Sequence, residues 1–147
     1  MASVHVPTNA LVLVGDGRRA LFLRNRGTPR HIELITEREM SQDNPPNREQ
    51  GSDRPGRYLG ADRVSRSAFE QTDWHQQAEK RFAAEIADTL YRMAHTQRFE
   101  ELVLVAPPKL LGDLRAALHS EVTERIVAEL PKDLTPNPVP EIARLLS

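Results

Sequence analysis

The sequence predicts an α/β domain built on one mixed five-stranded sheet with helices on its faces. Three observations lead there. Two short apolar runs, ALVLVG (Ala10 to Gly15) and ALFLRN (Ala20 to Asn25), flank the turn-forming DGRR. A single apolar stripe, Trp74, Ala78, Phe82, Ile86, Leu90 and Met93, steps by fours and a final three. Beyond it, strand-like and helix-like segments alternate to the end of the chain, as in βαβ units.

Each element has its own reason. A continuous apolar run bounded by turn residues marks a strand buried on both faces, so Ala10 to Asn25 reads as a hairpin. His31 to Met40 (HIELITEREM) sets Ile32 and Leu34 on one face, with charges increasing outward, and reads as a third, more exposed strand. The stripe from Trp74 is the apolar face of an amphipathic helix. Asp73 and Gln76 resemble its capping box, and Arg81/Glu85 and Asp88/Arg92 are spaced as i, i+4 pairs on its outer side. Glu101 to Pro107 (ELVLVAP) is the cleanest buried strand. Pro108 is suited to open the next helix, with Leu110, Leu111, Leu114 and Leu118 inward despite Gly112. Thr123 to Leu130 reads as a last strand stopped by Pro131, and VPEIARLLS as a terminal helix with Ile142, Leu145 and Leu146 inward. The order β-β-β-α-β-α-β-α fits a ribonuclease H-like sheet, in which the second of five strands runs against the others.

Between the third strand and the first helix, residues 41–73 carry three prolines, three glycines and almost no aliphatics. A structureless stretch of that length is uncommon in a compact domain and is usually functional or disordered. Its charge is concentrated: Arg54, Arg57, Arg63 and Arg66 against Asp62 leave +3 over residues 54–66, although residues 41–73 as a whole carry −1. All five of its cations are arginines, whose guanidinium forks grip phosphate or carboxylate in two-pronged geometry. Pro55 stiffens the segment and Gly56 allows a tight turn, which together present Arg54 and Arg57 as anion-binding groups; Asp53, Pro55 and Gly56 shape the loop. A solvated linker, with Asp53 paired to Arg57, fits the residues equally well.

Other chemistry finds little support. The 147 residues carry a net charge of −1, so no global positive field gathers nucleic acid, and any such binding needs a local patch. Without cysteine there is neither disulfide, thiolate nucleophile nor Cys-based zinc site. His5, His31, His75, His95 and His119 are scattered, with no metal-ligand spacing, and neither GxGxxG, GxxxxGK[ST] nor G-x-S-x-G occurs. No catalytic residue, metal or cofactor is expected. Asp16, leaving the first strand ahead of a glycine, stands where ribonuclease H-like nucleases hold a metal. A metal-dependent nuclease would need further converging carboxylates, so Asp16 reads mainly as hairpin turn chemistry. The N-terminal residues lack a charged n-region and a long apolar run, and the expected location is the cytoplasm.

The segments ALVLVGDGRRALFL, GSDRPGRYL, WHQQAEKRFAAEIADTL, LVLVAPPKLLGDLRAAL and VAELPKDLT, in this order, resemble the bacterial host-attachment protein family, "protein required for attachment to host cells". The resemblance covers residues 9–146. Its most specific pieces are DRPGR (Asp53 to Arg57), Ala106 to Arg115, and KDLT, which marks Lys132 and Asp133 as motif residues of unknown role beside Asp16. That family is similar to the middle domain of archaeal and eukaryotic peptide chain release factors and of Pelota. The resemblance implies a ribonuclease H-like sheet and a lone domain whose loop touches ribosomal or transfer RNA. The expected partners are the ribosome or structured RNA, or alternatively a protein in surface attachment; neither DNA nor membrane insertion is expected. Release factors carry Gly-Gly-Gln in the corresponding loop, and this sequence has none, so peptidyl-tRNA hydrolysis is not implied.

Overall fold

A computed structural model describes residues 4–42 and 60–147, with residues 60–73 described as backbone. Five strands form one sheet: β1 (Leu11–Gly15), β2 (Arg19–Asn25), β3 (Leu34–Ser41), β4 (Leu102–Val105) and β5 (Ile126–Leu130), in the order β3-β2-β1-β4-β5. β2 pairs antiparallel with both β1 and β3, while β1, β4 and β5 run parallel, so β2 alone opposes the rest. That is the ribonuclease H-like arrangement expected from the sequence.

The helices are α1 (Gly60–His95), α2 (Pro108–Ala117), the single turn α3 (Ser120–Thr123) and α4 (Val139–Leu146). Successive residues of a strand point to opposite faces, and both faces of β1 and β4 are apolar, so each needs cover. Leu11, Leu13, Phe22, Leu102 and Leu104 meet Phe82, Ile86 and Leu90 of α1 and Leu110, Leu111 and Leu114 of α2. Val12, Val14, Leu21, Leu23, Val103 and Val105 meet Val6, Leu134 and, from α4, Ile142 and Leu146. Each large side chain removed from water in these layers contributes roughly 1.5–3 kcal/mol. The two layers are what hold the sheet.

The stripe on α1 faces inward as expected, with Ala78, Phe82, Ile86 and Leu90 buried, and Asp88 and Arg92 pair on the outer side at 2.5 Å. Arg81 instead lies over the Trp74 ring, 5.8 Å from its centroid. Two boundaries differ from expectation. The helix starts at Gly60, so position 73 lies inside it rather than at its amino terminus, and the expected loop of 41–73 is shortened from both ends, since Ser41 closes β3. Residues 61–73 contain neither proline nor glycine, so a helix anchored by the packed turns of 78–94 propagates through them despite their sparse apolar content. Thr123, expected to open the last strand, lies instead in α3, whose N-cap His119 accepts through Nδ1 from the Glu121 amide at 2.9 Å.

Two local devices fix the amino-terminal edge of the parallel strands. Asn25 is fully buried at the end of β2. Its Nδ2 donates to the carbonyls of Val6 (3.1 Å) and Pro7 (3.3 Å), and its Oδ1 accepts from the amides of Gly27 (2.9 Å) and Glu33 (3.0 Å). One side chain thus ties the N-terminal segment to the turn before β3. At the end of α1, Arg98 N donates to Met93 O (2.8 Å) and Gln97 N to Ala94 O (3.0 Å), the paired bonds of a Schellman motif. Its left-handed position is Gln97, at φ 60°, where glycine would be unstrained.

Two consequences are measurable by denaturant unfolding. Asn25→Ala strands the buried Val6 carbonyl and the partly buried Gly27 and Glu33 amides and should destabilise the domain by about 2–3 kcal/mol; a loss below about 1 kcal/mol would contradict the role given to Asn25. Gln97→Gly should stabilise it by roughly 1 kcal/mol through relief of the left-handed strain, and any destabilisation would show that strain to be absent.

Candidate functional site

The carboxyl ends of β1, β4 and β5 lie along one edge of the sheet, the edge at which open α/β sheets usually bind ligands. Asp16 leaves β1 there. Its Oδ1 accepts from the amides of Arg18 (2.7 Å) and Arg19 (2.8 Å), which closes the β1–β2 turn as the sequence suggested. Its Oδ2 accepts from the Thr135 hydroxyl at 3.1 Å. Thr135 is itself buried and its hydroxyl lies 2.5 Å from Asp133 Oδ1, which also accepts from the Thr135 amide at 3.0 Å. The KDLT motif after β5 and the Asp-Gly turn after β1 therefore meet through one hydroxyl, across a sequence separation of 119 residues. Thr135 went unnoticed as a site residue in the sequence; the Asp-x-Thr spacing of a local side-chain turn was its only signal.

This arrangement limits what Asp16 does. Its Oδ1 accepts from two amides, its Oδ2 shares the single Thr135 hydroxyl proton with Asp133, and among the described residues no three His, Asp or Glu side chains converge as metal ligands would. Asp16 serves here as the post that ties two strand ends together.

Beside it, Glu79 of α1 packs over Gly17, where an added Cβ would come within 2.8 Å of the Glu79 carboxyl carbon. Lys109, near the start of α2, lies 2.9 Å from Asp113 and 3.9 Å from Glu79. These groups line a crevice of about 130 Å³. With two carboxylates around its single ammonium, the crevice offers no spare positive charge. Arg18 in the turn and Lys132 after β5 are exposed and have no ion-pair partner among the described residues.

The arginine-bearing segment is anchored at this same edge. Gln42, just past β3, donates from its amide to Arg18 O (2.6 Å) and from Nε2 to Gly17 O (3.0 Å). The chain enters the sheet's helical layer again through α1, whose Glu79 rests on Gly17. The start of the segment is thus held at the Asp16 turn. Asp53, Arg54, Pro55, Gly56 and Arg57 lie outside the described residues. Arg63 and Arg66 fall in the first two turns of α1 and not in a loop, which corrects their expected placement. At 1.5 Å per residue, α1 continues roughly 28 Å from Glu79 back to Gly60.

Removing the hydroxyl in Thr135→Val should destabilise the domain by about 1–3 kcal/mol, because a bond to a charged group is lost in a buried setting. Asp16→Asn keeps an acceptor for the two turn amides and should be milder; a larger loss for Asp16→Asn than for Thr135→Val in unfolding experiments would contradict the tie.

The family model described as bacterial archaeo-eukaryotic release factor family 12 matches residues 9–146. No curated protein matches the chain at a significant level.

Proposed function

Since the chain belongs to bacterial archaeo-eukaryotic release factor family 12, we propose that it is a non-enzymatic, cytoplasmic, RNA- or ribosome-associated domain that grips phosphates with Arg54, Arg57, Arg63 and Arg66. The observation that carries this reading is the anchoring of that segment. Gln42 holds the start of that segment at the Asp16 turn, on the sheet edge where Arg18 and Lys132 are exposed with no ion-pair partner among the described residues. The segment carries a local charge of +3 over residues 54–66, on a chain whose overall charge is −1.

The chemistry is one of contact. Guanidinium groups bind phosphate oxygens in pairs, and the counterions they displace make such binding fall steeply with salt. The sheet serves as scaffold. The absence of Gly-Gly-Gln leaves no basis for peptidyl-tRNA hydrolysis, and among the described residues no group of three potential metal ligands gathers at Asp16. Among the described residues no helix is long and apolar enough to cross a membrane, which accords with contact through a charged edge.

Co-sedimentation with ribosomes should be clear at low salt, weaker at moderate salt, and strongly reduced in Arg54→Ala/Arg57→Ala and in Arg63→Ala/Arg66→Ala. If both double variants pellet as well as the parent, the segment is not the contact. Recovery of envelope proteins after nuclease treatment, with no ribosomal material, would instead support the surface-attachment role implied by the resemblance to host-attachment proteins.

A further inference from the structure

The opposite edge of the sheet, where β1 and β4 begin, holds a polar cleft of about 500 Å³. Ala10 to Gly15 spans roughly 20 Å at about 3.3 Å per residue, so this cleft is well separated from the Asp16 turn. Its floor is a fixed arginine. Arg24 donates from Nε and Nη2 to the two carboxylate oxygens of Glu37 (3.1 and 2.9 Å), from Nη1 to Asn9 O (3.1 Å) and from Nη2 to Arg98 O (3.0 Å). Its side chain is only 12% exposed. Glu37 is placed there by a bulge: Phe22 pairs with Arg38 and Leu23 with Thr36, leaving Glu37 as the extra residue of β3.

Two further cations stand over this pair. Arg26 follows β2, and Arg98 is presented by the Schellman turn at the end of α1; both are exposed and neither has an ion-pair partner among the described residues. The Arg24 hydrogen bond, opposed by burial and supplemented by the charges of Arg24, Arg26 and Arg98, holds the Glu37 carboxyl below the usual carboxylate range. Three guanidinium groups therefore act on a single carboxylate. Glu100 and Glu101 also line the cleft and likewise have no ion-pair partner among the described residues. Backbone strain concentrates here as well. Among the described residues the only non-glycine positions with positive φ are Asn9 (70°) and Gln97 (60°), and both line the cleft. Strained backbone held by surrounding structure is a frequent feature of binding sites.

A bare polyanion gains from Arg26 and Arg98 but is repelled by Glu100 and Glu101. A ligand that carries hydrogen-bond donors next to its phosphate suits both the cations and the carboxylates of the lining, and a cavity of this size accepts a molecule of about nucleotide dimensions. We propose that this cleft is a second binding site, for a ribonucleotide unit, free or within an RNA chain: Arg26 and Arg98 hold the phosphate, and Glu100 and Glu101 accept from the ribose hydroxyls. The site uses none of the residues assigned to ribosome contact, so its fate is independent of that reading.

Calorimetric titration of the full chain with AMP, dAMP, inorganic phosphate and a short single-stranded oligoribonucleotide tests it. AMP should bind more tightly than dAMP and inorganic phosphate. Arg26→Ala/Arg98→Ala, which removes only exposed groups, should weaken AMP more than about tenfold with an unchanged melting temperature. Glu100→Ala/Glu101→Ala should abolish the preference for AMP over dAMP. Tighter binding of the oligoribonucleotide than of AMP places the unit in RNA, and equal or weaker binding assigns a free nucleotide. No heat from any of these at millimolar concentration, inorganic phosphate binding as tightly as AMP, or AMP binding unaffected by Arg26→Ala/Arg98→Ala would overturn the proposal.

Discussion

Because β1 and β4 are buried on both faces, the sheet is stable only when apolar cover arrives from both sides at once. The chain supplies that cover from distant stretches, α1 and α2 on one face and the N-terminal segment with α4 on the other. Topology follows from this need. Parallel strands demand crossovers, the crossovers are the helices, and β2 and β3 extend the sheet on the side that needs none. β3 takes the edge and is accordingly rich in charge, with Glu37, Arg38 and Glu39 along its exposed length, a composition that discourages edge-to-edge pairing.

Two-sided burial also determines where polar chemistry can go. No charge is tolerated within the central strands, so charged groups collect where those strands begin and end. The two ends have been used differently. At the carboxyl edge, Asp16, Thr135 and Asp133 form a tie that closes the turn after β1 onto the loop after β5, and Glu79, Lys109 and Asp113 balance one another beside it. At the amino edge, Asn25 and Arg24 gather backbone groups from several connections into a rigid frame, above which Arg26 and Arg98 are left without partners among the described residues.

How far the sequence could be read depended on whether a signal was local. The strand runs of β1, β2 and β4 and the fourfold stripe of α1 were legible because burial writes its period into neighbouring residues. The true start of α1 was not, since residues 61–73 carry few apolar side chains and owe their helicity to the packed turns that follow. The α3 turn escaped for a similar reason: His119 is an uncommon N-cap, and its role exists only when the Glu121 amide is brought to its ring nitrogen.

By itself the sequence determined the mixed α/β class, the order of strands and helices along the chain, most inward-facing helix positions, though not Leu145, which is exposed, and the arginine-rich stretch between β3 and α1, all of which depend on residues close together in the chain. Tertiary structure alone decided that Asp16 meets Thr135, that Gln42 pins that stretch to the β1–β2 turn, and that Arg24, Arg26 and Arg98 gather around Glu37. Those pairings join residues far apart in sequence, and in the case of Glu37 they rest on a bulge in β3. Composition and periodicity carry no record of such meetings, because they are created when the two apolar layers close on the sheet and bring the ends of different strands together.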